Sequence, residues 1–142
     1  MLKAVLVGVG GMGGVHLNEY KNIKNVKLVA ACDVRLDMLK EKTNGMDINL
    51  YSDFDDMLKN ENPDIVDICT PTYMHKSMSI AALESGANVL CEKPMSPDKE
   101  EIIKMGAMAK KYDRILSVCH VLRYSPFFSK IKEILEEGRI GR

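Results

Sequence analysis

Gly8-Val9-Gly10-Gly11-Met12-Gly13 stands near the head of the chain, behind an apolar run and ahead of a stretch with helical character. That spacing suits a loop that cradles a diphosphate. Gly8 allows a tight turn, Gly10 has no Cβ to obstruct a pyrophosphate, and Gly13 lets a helix pack close to a strand. Gly11 and Met12 open that helix, whose unpaired N–H groups and partial positive charge face the phosphates. Asp33 follows Gly13 by 20 residues, at the end of a second apolar run. Its carboxylate can accept hydrogen bonds from ribose hydroxyls and would repel a 2′-phosphate, which favours NAD over NADP. Arg35 complicates this: its guanidinium could stack on adenine, pair with a 2′-phosphate or remain a solvated charge.

Three later apolar runs also end in reactive residues. One leads into Thr70-Pro71-Thr72-Tyr73-Met74-His75, one into Glu92-Lys93-Pro94, and one into His120-Val121-Leu122-Arg123-Tyr124-Ser125-Pro126. In an open α/β sheet, ligands bind outside the carboxyl ends of the strands. Oxidising an alcohol removes a hydride from carbon and a proton from oxygen, so a base or electrostatic stabiliser must touch that oxygen. Lys93, directly behind a buried strand, is the candidate; desolvation there favours its neutral form, and Glu92 opposes it. The plainer reading is an exposed charge pair before a turn proline. Pro94 is a candidate for a cis peptide bond, which would aim Lys93 into the cleft. His75 and His120 each read either as ligand contacts or as satisfied imidazoles. Arg123 and Tyr124 either reach the nicotinamide side or anchor the next helix. His16, inside the first helix, reads as structural.

Short apolar runs must position these groups. Strands are predicted at Lys3–Gly8, Lys27–Asp33, Ile48–Tyr51, Ile65–Thr70, Asn88–Cys91 and Ile115–Cys119. Helices are predicted at Met12–Lys24, Arg35–Thr43, Asp53–Asn60, Met74–Ser85, Pro97–Tyr112 and Pro126–Glu137. Runs such as Leu28-Val29-Ala30-Ala31 are apolar throughout, as parallel strands covered on both faces are. Ser96-Pro97 and Ser125-Pro126 suit N-caps with proline in the first turn, Ser52 with Asp55 resembles a capping box, and Ser85-Gly86 suits a helix end. Strand–helix alternation with short connections predicts an α/β fold of Rossmann type, a doubly wound parallel sheet in three α/β/α layers. Residues 1–125 form that domain, and 126–142 a helix and a lead-in.

Composition narrows the partners. Twenty basic residues balance twenty acidic ones, so no global field draws nucleic acid or an anionic membrane. Lys3 and the mostly apolar run that follows mimic a signal peptide, but glycines break the run and no cleavage site follows. Cys32, Cys69, Cys91 and Cys119 lie 37, 22 and 28 residues apart. That spacing fits no metal-ligand motif, so no metal is expected, and buried thiols in a reducing cytoplasm are.

Taken in order, GxGxxG, the terminal Asp33, TPxxxH, EKP and RYxP resemble the N-terminal domain of the glucose–fructose oxidoreductase and inositol dehydrogenase family, over essentially the whole chain. The resemblance implies that Thr70, Pro71 and His75 line the nicotinamide-side pocket and that Glu92 sits near the nicotinamide ribose. It implies that Lys93 contacts the substrate hydroxyl that loses its proton. Arg123 joins the cofactor-binding set. The implied substrate is a small cyclic polyol, sugar or sugar derivative. Family members are more than twice this length, with a second domain that covers the cleft and carries the homo-oligomer interface. The resemblance therefore implies that Gly138–Arg142 leads into an absent domain, and that this chain alone binds cofactor but turns over little. The alternative is a dinucleotide-sensing module without hydride transfer.

Overall fold

The computed structural model describes residues 1–141; Arg142, the end of the expected lead-in, lies outside the described residues. Strands β1 (Leu2–Val7), β2 (Val26–Cys32), β3 (Asn49–Tyr51), β4 (Ile65–Ile68), β5 (Asn88–Cys91) and β6 (Leu116–Val118) form one sheet, in the order β3-β2-β1-β4-β5-β6. Every pair is parallel. The order reverses between β1 and β4, and at such a switch point a crevice opens.

Helices α1 (Gly11–Glu19), α2 (Leu36–Lys42), α3 (Phe54–Glu61), α4 (Thr72–Glu84) and α5 (Lys99–Lys111) make the crossovers, and α6 (Pro126–Glu136) follows the last strand. Alternate side chains of β1 feed opposite faces, as the pleat requires. Ala4 and Leu6 pack with Leu17 of α1 and Leu39 of α2. Val5 and Val7 pack with Leu58 of α3, Leu83 of α4 and Met105 of α5. The pairing of β1 with β2 slips between Ala4 and Val5, whose partners are Leu28 and Ala30. This bulge lets Leu28 and Ala31, three residues apart, share one face. In contrast, α6 buries none of its residues.

Two caps differ from the sequence reading. Asp53, not Ser52, caps α3, accepting from Asp56 N at 2.9 Å. Asp98, not Ser96, caps α5, accepting from Glu100 N at 2.8 Å. A carboxylate is the stronger acceptor at the positive end of a helix. Ser96 instead donates to Glu101 Oε2 at 2.7 Å. Ser125 caps α6 with Pro126 in its first turn, but by backbone conformation, without a side-chain bond. The first helix ends at Glu19 and tightens into a 3-10 turn over Tyr20–Asn22 instead of running to Lys24. Ser85 ends α4, and Gly86 follows at φ +92°. Among the described residues, no helix is long and apolar enough to cross a membrane.

Candidate functional site

The glycine loop is built by close approach. Gly8 takes φ +85°, and a Cβ on it would meet Cys69 O at 2.7 Å. A Cβ on Gly13 would stand 1.8 Å from Gly8 O, so α1 begins pressed against the loop it follows. On the other side Gly10 is open, with Arg35 Nη2 at 4.0 Å the nearest atom to an added Cβ. That is the side on which a diphosphate would lie. Asp33 Oδ2 accepts Val9 N–H at 3.0 Å, and Oδ1 accepts Arg35 N–H at 2.9 Å. The carboxylate thus ties the loop to the end of β2. Lys42, at the end of α2, donates to Val9 O at 2.7 Å and Gly10 O at 2.8 Å. Sequence reasoning missed this lysine, because only folding turns α2 back onto the loop.

Along the carboxyl edge of the sheet runs a cleft of about 690 Å³. Gly8, Gly10, Met12, Asp33 and Arg35 line one part of it, and Thr70, Pro71, Glu92 and Lys93 another. Val34, Ser52, Asp53 and Phe54 complete the wall beside Asp33, and Tyr73 and Met74 the opposite end. Gly11 and Gly13 sit in the first turn of α1, outside the lining.

Two candidates fall elsewhere. His75 is 1% exposed and does not line the cleft. Its ring nitrogens lie 2.9 Å from Thr70 O and 2.9 Å from Pro94 O. The imidazole faces two carbonyls and joins the TPxxxH segment to EKP from behind. Arg123 lies in a 3-10 turn at Val121–Tyr124 and lines a groove with Leu122 and Phe128, outside the cleft lining. His120 and Tyr124 are exposed and also lie outside the lining. The Lys93–Pro94 peptide is cis, and Lys93 lines the cleft. Its side chain is nevertheless exposed, so the described residues do not supply the desolvation expected of it.

Behind the cleft lies a polar cluster that the sequence reading did not foresee. His16 Nδ1 is 2.9 Å from Asp67 Oδ2, which also accepts from Tyr20 Oη at 3.1 Å. His16 Nε2 is 3.4 Å from Glu92 Oε1, within ion-pair range but not aligned as a hydrogen bond, so this buried oxygen has no hydrogen-bond partner among the described residues. The hydrogen bond that His16 donates to Asp67 raises its pKa against the opposing effect of burial, helped by the charge of both carboxylates. Burial pushes Cys69 and Tyr20 up, with Asp67 adding to it. His16 therefore belongs to the site's electrostatics rather than to packing alone. The signal was present in the sequence: Asp67 interrupts the apolar strand Ile65-Val66-Asp67-Ile68, and a buried carboxylate requires a partner. The donor atoms of His16, Asp67 and Cys69 lie within 4.8 Å of one another, as do those of His16, Glu92 and Cys119. The first group is internally hydrogen-bonded through His16, Asp67 and Cys69, and we read it as a polar cluster.

The profile of an oxidoreductase family with an NAD-binding Rossmann fold matches residues 2–120. The chain is 33% identical over 138 residues to the myo-inositol 2-dehydrogenase of Thermotoga maritima, covering 96% of this chain and 41% of that protein. It is 30% identical over 144 residues to the D-glucoside 3-dehydrogenase of Escherichia coli, covering 99% of this chain and 40% of that one. The crystal structure of myo-inositol 2-dehydrogenase from Lactobacillus plantarum superposes with a TM-score of 0.91 at 33% identity, over 99% of this chain and 42% of the other. The chain thus spans about two fifths of the length of these relatives.

Proposed function

This chain belongs to the oxidoreductase family with an NAD-binding Rossmann fold, and on that premise we propose that it holds the nicotinamide dinucleotide of a dehydrogenase acting on a cyclic polyol, sugar or sugar derivative. One observation carries the reading: the open face of the glycine loop, the Asp33 carboxylate and Lys93 share a single cleft. The residues fit the group. No atom crowds Gly10, the start of α1 offers N–H donors to phosphate, and Asp33 is an acceptor for ribose hydroxyls. Its charge disfavours a 2′-phosphate, which makes NAD the preferred cofactor.

When bound, the nicotinamide supplies the hydride acceptor. Lys93 Nζ touches the substrate hydroxyl, either as a neutral base that takes its proton or as an ammonium that stabilises the negative charge developing on its oxygen. His75 sits between the Thr70 and Pro94 carbonyls, within hydrogen-bond distance of both, and so links the two segments that would flank the nicotinamide end. Inositol and glucoside dehydrogenases among the relatives support this substrate class. Four unpaired cysteines suit a cytoplasmic setting.

Titrating NADH and NADPH against wild type and Asp33→Ala tests the cofactor assignment. Wild type is expected to prefer NADH, with the preference narrowed in the variant. Tighter NADPH binding by wild type overturns the NAD assignment, and binding of neither overturns the reading as a whole. In a protein that also carries the additional length of the relatives, Lys93→Ala is expected to cost about 10²–10⁴-fold in turnover. Unchanged turnover would favour a sensing module instead.

A further inference from the structure

A single imidazole on α1 lies between two carboxylates drawn from neighbouring strand ends. His16 Nδ1 is 2.9 Å from Asp67 Oδ2, and Nε2 is 3.4 Å from Glu92 Oε1. Asp67 and Glu92 are only 1% and 5% exposed. A neutral imidazole carries one N–H and can serve one of these acids; the imidazolium carries two and can serve both. Beside a neutral ring, at least one buried carboxylate lacks a cation out of water. Glu92 meanwhile uses Oε2 to accept the Lys93 backbone N–H at 3.0 Å. Only one carboxylate separates the ring from the lysine of the cleft.

Resting on the dinucleotide-cleft reading, we propose that His16 is a positioning residue: its imidazolium form pins Glu92, and through it the Glu92–Lys93 segment, to the cleft wall. That segment is ordered for binding while His16 is protonated and loosens when the ring is neutral.

Every titratable neighbour points to the same assignment. Tyr20 faces the ring's partner Asp67 from the 3-10 turn, Asp67 and Cys69 stand on and just beyond β4, Cys91 and Glu92 at the end of β5, and Cys119 beyond β6. Burial first, and the carboxylates with it, push the Cys91 thiol up to about 11 and Cys119 to about 12, and push Cys69 and Tyr20 up as well. His16 is also raised, chiefly by its bond to Asp67. A transition above the ordinary 6.5 but well below pH 11 that reaches Lys93 is thus assigned to His16.

An NMR titration of the 142-residue chain, with labelled histidine rings and backbone amides, tests this. The His16 midpoint is expected above the ordinary 6.5, with the Lys93 amide shift moving through that same midpoint. The NADH Kd, measured over the same pH range, is expected to rise by up to about tenfold per pH unit beyond it. In His16→Gln the Lys93 transition disappears and NADH binding becomes weak and pH-independent. Should that variant not fold, Glu92→Gln is expected to lower the His16 midpoint. A Lys93 amide that is silent through the His16 midpoint overturns the proposal, as does an alkaline loss of NADH that persists in His16→Gln. If wild type binds no NADH at any pH, the dinucleotide reading falls, and the Lys93 amide still decides the positioning role.

Discussion

The carbonyl oxygen of Gly8 and the α-carbon of Gly13 approach so closely that a β-carbon on Gly13 would stand 1.8 Å from that oxygen. The loop carbonyl is backbone, so nothing flexible can yield. Gly13→Ala is expected to cost about 1–3 kcal/mol by overpacking and to displace the loop from its phosphate-binding shape. Urea unfolding and an NADH titration would measure the two effects. Gly106→Ala, in α5 and outside the cleft lining, where an added Cβ meets nothing within 4 Å, is the control and should leave NADH binding unchanged without loss of stability.

His75 supports the site from behind, between Thr70 O and Pro94 O. Removing it leaves at least one of these carbonyls short of a donor, and a hole behind the EKP segment. His75→Ala is expected to lose about 2–4 kcal/mol of stability, measured by chemical denaturation. Amide exchange at Glu92–Lys93 should rise with it. Unchanged exchange there would show that the bridge does not order the segment.

Lys42 is exposed, and its two bonds to Val9 O and Gly10 O should add no more than about 1 kcal/mol to global stability. Their effect is local: they fix the loop carbonyls of Val9 and Gly10. Lys42→Met is expected to leave the unfolding midpoint almost unchanged while weakening NADH binding several-fold, and Lys42→Arg to restore part of the loss. Equal affinities in a fluorescence titration would remove Lys42 from the site.

Stability should also follow the charge of His16. Its folded-state pKa is raised, chiefly by the hydrogen bond to Asp67. The contribution is therefore fully present below the unfolded value of 6.5 and is lost as pH rises through the folded value. Unfolding free energy measured in steps from mildly acidic to alkaline pH should decline across that window in wild type. The same series on His16→Gln should be flatter there.

Burial is the main cause that pushes the Cys32 and Cys119 thiols up to about 12 and Cys91 to about 11, and it raises Cys69 too. Thiolate, not thiol, is the nucleophile. All four cysteines are therefore expected to resist alkylation at pH 8 in the folded chain and to react together on unfolding, which mass spectrometry would follow. Rapid labelling of one cysteine alone would mark its pocket as open.

Much of this architecture was legible along the chain. Continuous apolar runs, the spacing of Gly8, Gly10 and Gly13, and Asp33 twenty residues on pointed to the parallel sheet and its loop, because strand burial and backbone clearance are local demands. Element ends were less legible: Asp53 and Asp98 displaced the neighbouring serines as caps, a competition that residue type alone does not settle. The cleft residues Val34 and Phe54 carried no motif, and Tyr73 stood at an unspecified position inside TPxxxH.

What residue order determined by itself was which segments become strands, where the chain must turn tightly, and that Glu92 and Lys93 follow a buried strand. Tertiary structure alone decided which side chains meet. His16 reaches Asp67 across 51 positions, Lys42 reaches back 33 to Val9, and His75 withdraws behind the cleft it was expected to line. Hydrogen bonds and charge pairs act over a few ångströms, and only the packed crossovers bring such distant positions within that range.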